Sequence, residues 1–239
     1  MTKKQNPIEK TQSATQEITT PKKTRNYRTL AFQSYLLLTI TTFITLALFA
    51  HFTPYFQIDL LVSQAFQTFN PPYFLDFMKF ISFWGYNPQM LIISITILIL
   101  TFIMGLKLES IIGAINIIGA GLITGILKIL ISRDRPTSDL VNVVINLSDK
   151  SFPSGHVLTY TAFFGYLWFL SFALLKHSLL RSSLLVIFGG LVILVGPSRV
   201  YLGEHWSSDV LGGYLIGSVW LLLTIFLYRY FKDHVKKTK

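Results

Sequence analysis

Cysteine is absent from the 239 residues. That excludes disulfides, thiolate metal sites and a cysteine nucleophile. Charge is scarce: Asp, Glu, Lys and Arg make up 13% of the chain, about half of the roughly 25% in a soluble domain. An ordinary soluble globular surface cannot be built from so little charge. No repeat of about 20–50 residues is found, and the length fits one compact unit.

What is present is apolar and aromatic. Hydrophobic residues reach 51%, with 20 Phe, 11 Tyr and 4 Trp. The net charge of +10 is concentrated at the ends. Residues 1–29 carry seven Lys/Arg against Glu9 and Glu17, and residues 229–239 carry five against Asp233. The two ends therefore supply 5 + 4 = 9 of the ten net charges.

Charged residues divide the middle into uncharged runs at 29–58, 80–106, 110–127, 151–175, 182–198 and 210–228. A spanning helix needs roughly 20 apolar residues, and only helices or closed barrels satisfy the backbone in hydrocarbon. The runs are continuous rather than alternating, which selects helices. The expected fold is all-α, a six-helix transmembrane bundle. Its spans are Leu30–Phe52, Pro88–Leu106, Ile111–Ile131, His156–Leu175, Leu184–Pro197 with its flanks, and Val210–Tyr228. The first run is too long and starts too late for a signal peptide, and no small-residue cleavage site follows it. Residues 53–87 form a first loop rich in aromatics, broken by Asn70-Pro71-Pro72. One or two short interfacial helices are expected there. The division is then a disordered basic tail 1–29, a membrane domain 30–229 and a basic tail 230–239.

Six spans put both ends on one side. With both tails inside, 15 Lys/Arg are inside and six outside, as the positive-inside bias requires. A multi-pass protein of the cell membrane is expected, its termini cytoplasmic and its tails facing anionic lipid headgroups. Nucleic acid is not an expected partner. Gly121-x-x-x-Gly125 and Gly213-x-x-x-Gly217 read as faces that let helices approach. Trp206 and Tyr201 read as interfacial belt aromatics, and Arg133-Asp134 as a solvated pair.

Ionisable residues beside spans are costly and mark function. Lys128, Arg135, His156, Arg199, His205 and Asp209 all fall at the outer ends of spans three to six, so topology alone brings them to one face, extracytoplasmic in this orientation. Three permanent cations repel a metal and attract an oxyanion; Arg forks suit phosphate oxygens. Ser154 offers a hydroxyl. Gly155 lets the backbone and the amides opening span four approach an anion. His205 and Asp209 lie four apart and share a helix face, so the carboxylate can hold one ring nitrogen while the other attacks. His156 is available for proton transfer.

Lys128-x6-Arg135-Pro136, Pro153-Ser154-Gly155-His156 and Ser198-Arg199-x5-His205-x3-Asp209 together resemble the three-part signature of the type 2 phosphatidic acid phosphatase family, related to bacterial acid phosphatases and vanadium haloperoxidases. The resemblance implies that His205 attacks phosphorus and becomes a phosphohistidine. Asp209 orients it, and His156 protonates the leaving oxygen and then helps activate water. Lys128, Arg135, Ser154, Gly155 and Arg199 would hold the phosphoryl oxygens, with no metal or other cofactor. Ser207 and Glu204 depart from the family's usual residues there, and Glu204 would add negative charge at the pocket rim. The implied activity is a lipid phosphatase acting on a phosphomonoester or diphosphate head of the phosphatidylglycerol phosphate or phosphatidic acid type. The alternatives are an undecaprenyl-diphosphate phosphatase, a lipid phosphotransferase that excludes water, and a non-catalytic lipid-binding or transport protein.

Overall fold

The structure is a computed structural model that describes residues 22–237. Most of the expected tail 1–29 therefore lies outside the described residues. Those described form eight helices: α1 Lys22–Phe52, α2 Gln57–Gln67, α3 Phe74–Phe83, α4 Gln89–Ile103, α5 Lys107–Ile131, α6 Gly155–Leu174, α7 Leu179–Tyr201 and α8 Ser207–Lys237. There is no strand among the described residues. The described residues fall into two units that divide between Leu38 and Thr39. The described part of the first is the opening stretch of α1. The second holds everything below.

Among the described residues, five helices are long and apolar enough to cross a membrane: Thr29–Phe52 within α1, Lys107–Ile131, Gly155–Leu174, Leu179–Tyr201 and Ser207–His234. The remaining expected span, Pro88–Leu106, is shorter than expected. The chain turns through residues 84–88 before it, and Gly105 in the left-handed region (φ 85°) ends the other side. That leaves the 15 residues of α4. At 1.5 Å per residue α4 covers about 22 Å of a roughly 30 Å core. The three residues 104–106 join it to α5, against which it packs.

The centre is α6. It packs against α5, α7 and α8 and is buried around most of its length, from Val157 and Leu158 through Phe163 and Phe164 to Tyr166 and Leu167, with Trp168 and Phe172 exposed towards its end. A helix apolar all round belongs in a core. Gly213 and Gly217 let α8 close on it: a Cβ at Gly213 would press on the Ser154 carbonyl and Val157, and one at Gly217 on Leu158 and Thr161. Elsewhere large aliphatic side chains face outward, such as Ile118, Leu122 and Ile129 on α5 and Val186 and Ile193 on α7. So much contiguous exposed apolar surface is unsuited to water and suited to lipid. The molecule is a multi-pass membrane protein.

The two loop helices expected between spans one and two are α2 and α3, separated at Asn70-Pro71-Pro72. They pack down on the ends of the spanning helices, α2 on α7 and α8 and α3 on α7. Phe66 and Phe74 meet Tyr201 edge to face, with ring centroids 5.5 and 4.9 Å away. Tyr201 and Trp206 are accordingly buried, not belt residues. The end of α2 also meets the loop 132–154 and the end of α7: Gln67 donates to the carbonyls of Asn142 and Tyr201. Gly203 (φ 68°) lies so close to the Asn142 carbonyl that no side chain fits. At the opposite end of the bundle, Tyr228 and Lys232 of α8 bond the Glu109 carboxylate of α5.

Candidate active site

The last turn of α5, the first turn of α6, the loop 202–206 after α7 and the first turn of α8 meet at one end of the bundle. Between them and the start of α4 lies a cavity of about 500 Å³. Five of the eight residues singled out in the sequence line it: Lys128, Arg135, Gly155, His156 and His205. Asp209, Ser154 and Arg199 are fully buried behind that wall.

His205 is 1% exposed. Its Nε2 lies 3.1 Å from Nη1 of Arg135. A guanidinium can only donate, so Nε2 is the unprotonated nitrogen and the proton resides on Nδ1. That nitrogen is 3.6 Å from Oδ2 of Asp209, an ion-pair distance rather than a hydrogen bond. Ser151 lies between them: its Oγ is 3.4 Å from Nδ1 and donates to Asp209 Oδ2 at 2.5 Å. The expected carboxylate–imidazole contact thus passes largely through a serine hydroxyl. Burial first, then the charges of Arg135, Arg199 and Lys128, push the His205 imidazole well below its usual range. It is neutral at neutral pH, the form a nucleophile needs.

Asp209 itself is gripped from behind. It accepts from Arg133 Nη1 at 2.7 Å and from the Trp206 amide at 2.9 Å, besides Ser151. Arg133 is not the solvated residue expected. It is 2% exposed, lies over the Phe56 ring, and bonds the Pro54 carbonyl, Ser208 Oγ and Asp59 Oδ2. Asp59, on α2, is also fully buried. It accepts from Ser207 Oγ, Ser208 Oγ and the Ser208 amide, closing the N-terminus of α8 where a carboxylate is favoured. Ser207 and Ser208 thereby belong to the support of the site.

His156 opens the central helix. Its ring meets Tyr86 edge to face at 4.6 Å, and a Cβ on Gly85 would collide with it. Its Nε2 has no hydrogen-bond partner among the described residues, and the residue lines the cavity. Ser154 Oγ likewise lacks a partner; its amide bonds the Asp209 carbonyl. The amides opening α6 have no intrahelical acceptor, and a Cβ at Gly155 would press on Thr124.

Lys128 and Arg135 both bond the carboxylate of Asp149. Arg135 also donates to the carbonyls of Asp149 and Glu204. Lys128 and Arg135 hold the Asp149 carboxyl down to about 2, overriding a burial effect that acts the other way. Arg199 stands further back. It bonds Glu204, Ser82 and, at 2.9 Å, the Tyr86 hydroxyl, while its Nε is unpartnered. Glu204 is 1% exposed, so it neutralises Arg199 inside the protein instead of charging the rim.

The cavity's other wall is apolar: Met90 and Leu91 of α4 face Ile117, Gly121 and Gly125 of α5. A Cβ on either glycine would meet nothing within 4 Å. The 121/125 pair therefore widens the cavity instead of admitting another helix. Among the described residues, no group of three or more His, Asp or Glu stands together as metal ligands.

The model of the PAP2 superfamily matches residues 110–233. Phosphatidylglycerophosphatase B of Bacillus subtilis is 37% identical over 120 residues, which are 48% of this chain and 54% of that protein. The putative undecaprenyl-diphosphatase YbjG of Escherichia coli is 38% identical over 95 residues, 38% of this chain and 42% of that one. The chain thus spans about half the length of the curated relatives it matches. The crystal structure of a transmembrane PAP2 type phosphatidylglycerolphosphate phosphatase from Bacillus subtilis superposes with a TM-score of 0.70 at 26% identity, covering 85% of this chain and 98% of that one.

Proposed function

Because the chain belongs to the PAP2 superfamily, we propose that it is a membrane lipid phosphatase that hydrolyses a phosphomonoester or diphosphate head through a phosphohistidine on His205. The observation that carries this reading is the His205 ring. Its Nε2 is held unprotonated by Arg135 and sits at a cavity lined by Lys128, Arg135 and His156. Phosphoryl transfer asks a protein mainly for positioning and charge stabilisation. In this reading Nε2 attacks phosphorus while Lys128, Arg135 and the α6 amides hold the equatorial oxygens. His156 Nε2 gives its proton to the departing oxygen and in the second step takes one from water. Ser154 Oγ and the Arg199 Nε are two unpartnered polar atoms behind the wall that are available to complete the cradle. Asp209 and Ser151 hold the proton on Nδ1 of His205.

The apolar wall between α4 and α5 suits a long tail, with Gly121 and Gly125 leaving room for it. The name of the 37% identical relative favours a phosphatidylglycerol phosphate head, and phosphatidic acid offers the same phosphomonoester chemistry. A second substrate, undecaprenyl diphosphate, is favoured by the 38% identity with a putative diphosphatase of that carrier. The charge bias of the ends puts both termini in the cytoplasm and the site on the outer face, where lipid heads of the outer leaflet reach it. The basic ends 1–29 and 230–239 would then meet anionic headgroups on the inner leaflet.

The test is release of inorganic phosphate in detergent over a panel of phosphatidylglycerol phosphate, phosphatidic acid, diacylglycerol pyrophosphate and undecaprenyl diphosphate, run in EDTA. Saturable release from at least one supports the proposal. Release from none, or release only after Mg²⁺ or Zn²⁺ is restored, overturns it.

A further inference from the structure

Asp149 stands at the centre of the cationic site yet belongs to none of the motifs. It lies on the loop between α5 and α6 and lines the cavity. One carboxylate oxygen bonds Lys128 and the other bonds Arg135 Nη2 at 2.7 Å. These cations are nearly buried, with side chains 13% and 10% exposed, whereas the Asp149 side chain is 56% exposed. The main chain is anchored separately, since Arg135 Nε donates to the Asp149 carbonyl at 2.8 Å. The carboxylate can therefore swing out to solvent while the loop and the guanidinium stay in place.

Resting on the phosphatase reading above, we propose that Asp149 sets head-group selectivity. Its carboxylate competes with the substrate for Lys128 and Arg135, so that a dianionic phosphoryl head displaces it and a monoanionic phosphodiester head does not. Two cations and one carboxylate leave a site charge of +1. A phosphomonoester carries about −1.5 to −2 at neutral pH. Exchanging it for the carboxylate gains Coulombic energy and three acceptor oxygens. A phosphodiester carries −1, exchanges like for like, and must still be desolvated. Lys128 and Arg135 lower the pKa of Asp149, so the competitor stays ionised at neutral pH. Membranes are built mostly of phosphodiester lipids, so such a filter keeps the site clear of its own solvent.

The test uses the full chain in detergent with Asp149→Asn, which keeps the shape and removes the charge. Binding of inorganic phosphate is followed by calorimetry, and inhibition of phosphate release by phosphatidylglycerol is followed separately. Asp149→Asn is expected to bind phosphate about tenfold more tightly, as fits two half-exposed charge-assisted bonds. The KM for the lipid phosphate falls in parallel, and phosphatidylglycerol, inert on the native protein, becomes a competitive inhibitor. Asp149→Glu restores the charge and returns phosphate affinity toward the native value. Unchanged or weaker phosphate binding in Asp149→Asn, with its melting temperature preserved, overturns the proposal. So does a fall in kcat at unchanged KM, which would make the carboxylate a support for the two cations. Should Asp149→Asn melt early, Asp149→Ala is read against the same outcomes. The calorimetry needs no turnover, so a native protein that releases no phosphate refutes the phosphatase reading without touching the measured competition.

Discussion

Replacing Arg133 with methionine probes the support behind the nucleophile without touching the cavity. Arg133 bridges two carboxylates, at 2.9 Å to Asp59 and 2.7 Å to Asp209, and all three side chains are fully buried. The three groups sum to −1; without the guanidinium the pocket holds −2. Removing one partner of a buried pair costs about 3–5 kcal/mol, and a large drop in melting temperature is expected. Asp209 would lose one of its three side-chain and amide donors, so its carboxylate should loosen without being lost. Deleting the carboxylate of a triad outright costs about 10⁴ in kcat; losing one donor of three should cost roughly 10–100-fold in kcat. KM should move little, because Arg133 does not line the cavity. The double variant Arg133→Met with Asp59→Asn restores the net charge to −1. It should recover much of the melting temperature but not kcat. Phosphate release in micelles and thermal melting read the two effects apart. Full kcat in Arg133→Met, or a loss confined to KM, would refute the reasoning. So would recovery of kcat along with stability in the double variant, because the defect would then be in folding alone.

His156→Ala should keep phosphate affinity and lose roughly 10²–10⁴-fold in kcat, the usual worth of a positioned acid; the check is steady-state release on a saturating lipid phosphate. Gly121→Leu should fill the apolar wall between α4 and α5, raising KM for a long-chain lipid phosphate while leaving a short water-soluble phosphomonoester unaffected, and equal effects on both would argue against a tail site there. The absence of cysteine gives a clean background for sidedness: a cysteine at Ser138 should react with an impermeant maleimide in intact cells, and one at Ser178 only after permeabilisation.

The spanning helices were legible because uncharged length is a local property of the chain. The three motifs were legible because histidine, arginine and lysine at span ends have few other uses. Their convergence followed from helix parity, and five of the eight residues do share one cavity. What could not be read were partners set by long-range folding. Asp59 looks like the first charge of a loop, and its role depends on α2 folding back onto α8. Ser151 is a serine before a proline turn until Asp209 arrives 58 residues later. Arg133 sat beside Asp134 and looked solvated, yet the loop turns it inward to two carboxylates. Glu204 reads as rim charge until Arg199 and Tyr86 are seen to enclose it. A Gly-x-x-x-Gly pair signals close approach, but only the neighbours decide whether a helix or a cavity fills the space; 213/217 gained a helix and 121/125 did not. Length misjudged α4, because a left-handed glycine ends a helix that hydropathy alone would have extended.

The claim that everything else serves is that His205 carries the phosphoryl group. The direct measurement is a rapid acid-free quench of the purified protein with a lipid phosphate labelled in its terminal phosphoryl group, followed by mapping of the protein-bound label. Acid-labile, base-stable label on His205, absent from His205→Ala together with turnover, is the predicted result. Label retained in His205→Ala, or turnover persisting there at more than a few per cent of native, would contradict the account.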